Sequence, residues 1–179
     1  MFRLCLDLNV WVADLLAHAR GRVGTMSQTL VDVVRDGACS LGPTQLVISW
    51  GMIDRLGDVL LREFDVNGED VRALQRGIAT MAQRGPSGAA PYVLLGGTGV
   101  IPVRDTEDRG VMETALAGYA DVLVTNNFRD FAGGHAVVIV PHRIASVTVG
   151  PQRLLIVIPS VMCEWLGAGR ISLPKRRSP

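Results

Sequence analysis

Three carboxylates stand at the ends of short apolar runs. Asp7 follows the run at 3–6, Asp108 follows the run at 100–103 where a helical pattern begins, and Asp130 lies just past the run at 121–125. Carboxylates at the ends of separate elements have one strong use, which is to hold a hard divalent cation through oxygen ligands. Brought together without a cation they repel one another. Mg²⁺ or Mn²⁺ relieves that repulsion, and can activate water and stabilise the charge of an in-line phosphoryl displacement. The three converge if the strand ending at Asp7 and the strand ending at Thr125 are parallel neighbours, because the carboxyl ends of such strands face the ligand crevice. Taken alone, Asp7 reads equally well as a helix cap.

The elements that would position them follow from apolar spacing. Residues 3–6 read as a buried strand, and 10–17, apolar on nearly every face, as a short buried helix. Residues 18–25 form an exposed loop in which Arg20 and Arg22 are solvated. Ser27 caps a helix to Asp36 with Leu30, Val31, Val33 and Val34 inward, and Gly37 ends it. A strand at 45–49 leads to Ser49, the cap of a helix over 50–64 whose Met52, Ile53, Leu56, Val59, Leu60 and Phe64 recur at helical spacing. A further helix spans 69–83, and 84–91 is a connector. Gly96-Gly97-Thr98-Gly99 lacks the lysine and spacing of a phosphate loop and reads as a tight turn. A helix opening near Asp108 carries Val111, Met112, Ala115, Leu116 and Tyr119 inward. After the strand at 121–125 come strands at 136–140, 143–149 and 154–158, with Gly150-Pro151 as a hairpin turn, and then a helix over 161–166.

At 179 residues and 48% hydrophobic content, one substantial core is the expectation and two domains are not. No apolar run approaches the roughly 18 residues of a membrane span, and the N-terminus lacks a secretory pattern, which predicts a cytoplasmic protein. Cys5, Cys39 and Cys163 are odd in number and widely spaced, so they read as packing residues rather than a disulfide or zinc framework. The net charge of +1 gives no global basic field for nucleic acid. Lys175 is the one lysine among 18 basic residues, a bias that GC-rich coding explains as readily as phosphate contact.

Three segments together resemble the PIN-domain ribonucleases, and in particular the toxin halves of toxin–antitoxin pairs. Leu6-Asp7-Leu8-Asn9-Val10-Trp11-Val12 is similar to the family's opening L-D-T-N-V-L-V, with Leu8 in place of the usual Thr. Asp105-Thr106-Glu107-Asp108, followed by Ala115-Leu116-Ala117-Gly118, resembles its D-x-x-D helix start. The third and most specific is 120–131, similar to A-D-x-L-V-T-x-[DN]-x-x-D-F. The resemblance implies a Mg²⁺ or Mn²⁺ site at Asp7, Asp108 and Asp130, with Asn9 orienting Asp7, Asp105 and Asn127 close by, and Thr125 at the strand end. It also implies cleavage of an RNA phosphodiester under the restraint of a small antitoxin.

One position departs from the pattern. Counting from Ser49, the helix position where the family carries Glu holds Arg55. Either Asp54, about 100° away on an ideal helix, serves as a fourth catalytic acid, or that acid is lost. Asn127, where many members have Asp, removes a further charge. An alternative function is thus a degenerate PIN-like module that binds RNA or a protein without cutting.

The remaining polar and aromatic residues have plainer readings. Asp105 reads as the cap of the helix that Asp108 opens, Asp121 as part of the turn before its strand, and Asp14 and Asp58 as lying on solvated faces. His18, His135 and His142 lack metal-ligand spacing, and Trp11, Trp50 and Trp165 read as core or interface. The expected architecture is a single three-layer α/β/α sandwich with a central, mostly parallel sheet. Its core spans about 3–132, a C-terminal β hairpin and helix occupy about 133–170, and 171–179 is a basic tail. Exposed-looking apolar strands near the C-terminus predict a homodimer.

Overall fold

The computed structural model describes residues 1–92, 106–133 and 136–174, and the side chains of 106–108 fall outside that description. The glycine-rich turn at 96–99, the run at 100–103, Asp105, His135 and the end of the basic tail also lie outside the described residues.

Leu4, Cys5 and Leu6 are all fully buried, so β1 (Phe2–Leu6) is apolar on both faces. That is what a central strand of a sheet covered on both sides requires. Its neighbours are β3 (Gly42–Leu46) and β4 (Val122–Val124), both parallel to it, and β4 pairs in parallel with β7 (Gln152–Val157). With β2 (Ala38–Cys39), β5 (Val137–Val140) and β6 (Ile144–Val149) on the flanks, the sheet order is β2-β3-β1-β4-β7-β6-β5. The flanking pairs β2–β3, β5–β6 and β6–β7 are antiparallel. The fold is therefore a three-layer α/β/α sandwich on a mostly parallel sheet. The C-terminal hairpin continues this sheet, since Leu123 pairs with Ile156 and Val124 with Val157.

The helices are α1 (Leu8–Ala19), α2 (Met26–Asp36), α3 (Trp50–Glu63), α4 (Gly68–Arg84), α5 (Thr106–Ala117), α6 (Phe128–Phe131) and α7 (Pro159–Ala168). α2 packs on both α1 and α7, α3 packs along α4, and α5 lies over β4, β7 and α6. Gly37 ends α2 at φ +66. Gly118 answers a different need. A Cβ there would stand 2.3 Å from Val47 Cγ1 and 2.9 Å from Tyr92 Cε2, so the end of α5 reaches the stretch beyond β3 only without a side chain.

Several local expectations are corrected. Thr25, not Ser27, caps α2: its Oγ1 accepts from Gln28 N, and Gln28 Oε1 accepts from Thr25 N at 2.9 Å, a reciprocal pair that a serine two residues later cannot make. The ladder of the second parallel strand runs 42–46 rather than 45–49, because it begins as a hairpin with β2 at Gly42. Residues 47–49 stay extended past its end, and Val47 N donates to Leu4 O at 2.9 Å. Asp14 is 5% exposed rather than solvated, because α1 turns that face toward α2. Burial raises its carboxyl, while the charges of His18 and Arg35 pull it down and Asp32 adds to the rise.

Candidate active site

Asp7 is the first residue after β1 and the N-cap of α1, so the candidate ligand also caps a helix. Its backbone N–H donates to Val124 O at 3.0 Å, which locks the β1–α1 turn to the end of β4. Extending the β1–β4 register beyond Leu6↔Val124 sets Thr125 level with Asp7 on one side. Extending the β1–β3 register beyond Leu4↔Leu46 sets Ser49 level with it on the other.

The Asp7 side chain is 4% exposed and accepts three hydrogen bonds. Leu8 N donates to Oδ1 at 2.7 Å, and Asn9 Nδ2 and Thr125 Oγ1 donate to Oδ2 at 2.5 and 2.6 Å. Thr125, fully buried, in turn accepts from Asn127 N at 2.8 Å, and Asn9 Oδ1 accepts from Asn126 N at 3.0 Å. The two loops that leave β1 and β4 thus hold one carboxylate between them. A carboxylate has about four acceptor positions, and three are filled by described residues. Burial raises the Asp7 carboxyl above its ordinary value, opposed by the bonds from Thr125, Leu8 and Asn9. Cys5, two residues earlier, is pushed far up by burial and then by the Asp7 charge, which leaves an inert thiol.

The other sequence candidates divide by placement. Asn9, Thr125 and Asn127 join Asp7, Asn127 through its backbone rather than its exposed side chain. Asp130 lies on α6, whose Phe128 and Phe131 are buried and turn Asp130 outward past the β4 end of the sheet. Asp108 is in the first turn of α5, with its side chain outside the described residues, and Asp105 is outside them altogether. Asp54 is exposed and lines a groove between α3 and α4. Among the described residues no three His, Cys, Asp or Glu side chains form a metal-binding group, so Asp7, Asp54 and Asp130 do not close a cluster by themselves.

Two features were not read from the sequence. Thr114, fully buried on α5, places its hydroxyl 2.9 Å from Ser49 Oγ, tying the helix that carries Asp108 to the N-terminus of α3. Glu113 on α5 has a buried Oε1 without a hydrogen-bond partner among the described residues. No spacing signal marks the Ser49–Thr114 link, because it joins residues 65 apart that meet only through the packing of α3 on α5.

The chain is an α/β/α sandwich with an acidic residue at the carboxyl end of its central strand. The chain belongs to the PIN-domain family, whose family model, described as "PIN domain", matches residues 3–129. Comparison with curated proteins and with solved structures gives no match. PIN domains are in general metal-dependent nucleases, which places this chain among the hydrolases at the coarse level. The fit of a divalent ion rests on the donor chemistry: every candidate ligand is a carboxylate oxygen, and Asp7 is held in one orientation by Leu8, Asn9 and Thr125. Among the described residues, no helix is long and apolar enough to cross a membrane.

Proposed function

We propose that this chain is a Mg²⁺- or Mn²⁺-dependent endoribonuclease and the toxin component of a toxin–antitoxin pair. The observation that carries this reading is the Asp7 carboxylate, buried at the carboxyl end of the central strand and oriented by Asn9 and Thr125. Asp7, Asp108 and Asp130 would hold the ion, which when bound supplies an activated water and stabilises charge on the phosphate. Asn9 and Thr125 fix the rotamer of Asp7 and favour its anionic form. Asn127 N–H keeps the Thr125 hydroxyl turned toward Asp7, because an oxygen that accepts from the backbone donates the other way. A small antitoxin protein would restrain the enzyme, and cytoplasmic RNA is its natural substrate. β5, an edge strand with Val137 and Val138 exposed, is the contact through which two copies would pair. Sedimentation at graded concentrations tests that pairing.

The deciding experiment is incubation of the purified chain with single-stranded RNA, with added Mg²⁺ or Mn²⁺ or with chelator. Internal cleavage is expected that needs the metal and is lost in Asp7→Asn. Cleavage retained by Asp7→Asn in chelator would overturn the proposal. RNA bound but never cut, at any metal concentration, would leave a binding module.

A further inference from the structure

The groove between α3 and α4 has a composition that packing alone does not require. It is an open groove of about 380 Å³. Ile53 and Ala79, both buried, form its floor, and Gln75 donates its amide to Ile53 O at 3.3 Å. Trp50 stands on one wall and is 41% exposed, whereas Trp11 and Trp165 are 2% and 3% exposed. Arg72 and Arg76, one turn apart on α4 and both exposed, stand on the other. Neither arginine forms an ion pair among the described residues. Asp54 also lines the groove, so two guanidinium groups face one carboxylate and the groove is locally cationic on a chain of net charge +1.

Position gives the groove its relation to the candidate active site. Trp50 follows Ser49, the residue level with Asp7 across the β1–β3 pair, and neighbouring strands lie about 4.8 Å apart. Trp50 therefore begins α3 at the same carboxyl end of the sheet as Asp7. An aromatic face flanked by unpaired guanidinium groups is how unpaired nucleic acid is held: bases stack on the ring, and phosphates meet the cations. A duplex, whose bases are already stacked, cannot use such a platform.

We propose that this groove holds unpaired RNA, with one base stacked on Trp50 and the flanking phosphates on Arg72 and Arg76. The inference deepens the ribonuclease reading and rests on it for the choice of RNA.

Trp50 is its own probe, because the other two indoles are buried and give a constant background. With chelator present, titration of the intact protein with a single-stranded RNA octamer is expected to quench the Trp50 emission, and the same sequence as a duplex is not. Trp50→Ala, followed by anisotropy of a labelled octamer, should bind about 5- to 140-fold more weakly, the range that base–aromatic stacking of 1–3 kcal/mol gives at 1.4 kcal/mol per tenfold. Trp50→Phe should recover most of that loss. Arg72→Ala with Arg76→Ala should weaken binding and flatten its salt dependence. Equal binding of duplex and single strand, or octamer affinity unchanged in Trp50→Ala, overturns the proposal; so does a groove that answers only to a protein partner. The two readings fail separately. Cleavage that ignores Trp50 removes the groove and leaves the nuclease, whereas quenching without cleavage under any metal removes the nuclease and leaves the groove.

Discussion

Thr125 Oγ1 donates to Asp7 Oδ2 at 2.6 Å across the seam where β1 and β4 end. The bond joins two residues 118 positions apart, and both partners are buried. Its direction is set from behind, since Asn127 N donates to the same hydroxyl oxygen at 2.8 Å. The hydroxyl proton is thereby turned onto the carboxylate, and the anionic form of Asp7 is favoured.

Thr125→Val keeps the shape and removes the donor. A hydrogen bond to a charged group is worth about 1.5–3 kcal/mol, and partners that orient a metal ligand are typically worth 10–100-fold in metal affinity or activity. The variant is expected to need more Mg²⁺ for half-maximal cleavage. The acid limb of its pH–rate profile should move upward, because Asp7 loses a bond that holds its carboxyl down. A profile that stays put while activity falls would mean that Thr125 acts on packing alone.

The same carboxylate makes stability depend on pH. Its folded value lies above the ordinary 3.8, chiefly because burial penalises the anion. Between the two values the folded chain binds more protons than the unfolded chain, so unfolding free energy falls as pH rises through that window. Asp7→Asn should flatten the slope without abolishing it, since Asp14 is raised by burial as well. Above the window, Mg²⁺ should stabilise the native chain more than the variant, because an ion that binds only the folded anion adds its binding energy to folding. Urea titrations at several pH values, with and without the ion, measure both effects. Identical slopes for the two proteins would show that Asp7 carries no such penalty.

Gly118→Ala tests the close approach at the end of α5. The added methyl would meet Val47 Cγ1, which belongs to a fully packed residue, and the ring of Tyr92. Overpacking of this kind costs about 1–3 kcal/mol. Thermal unfolding should drop accordingly, with the far-UV spectrum unchanged.

Much of this arrangement was legible in the residues. Leu4 to Leu6, apolar without alternation, reads as a strand covered on both faces, and the carboxylate that follows it stands at the carboxyl end of the sheet. Gly37 and Ser49 marked a helix end and a helix start through their own backbone and side-chain chemistry. What escaped was whatever depends on partners distant in sequence. Asp14 reads as solvated until α2 covers it, and Gly118 reads as a weak helix residue until Val47 is found beside it. Trp50 reads like Trp11 and Trp165, as core or interface, because its apolar neighbours are the same in kind. Its exposure follows from facing along the α3–α4 groove, which apolar spacing does not encode.

Asp54 is the residue whose two readings predict opposite signs. If it replaces the family's missing acid at Arg55, Asp54→Asn removes a metal ligand, and cleavage should fall steeply with a raised Mg²⁺ requirement. Its exposed side chain lines the groove with Trp50, Arg72 and Arg76, where its charge would oppose an incoming phosphate. Neutralising it there should tighten single-stranded RNA binding. Exposed charge interactions of about 0.2–1 kcal/mol correspond to no more than about 5-fold. The gain should shrink as salt rises, because screening acts on exposed charges first. Anisotropy titrations of Asp54→Asn at low and moderate salt, set beside its metal dependence of cleavage, separate the two. Tighter binding with an unchanged metal requirement assigns Asp54 to the groove, and lost cleavage with unchanged binding returns it to the metal centre.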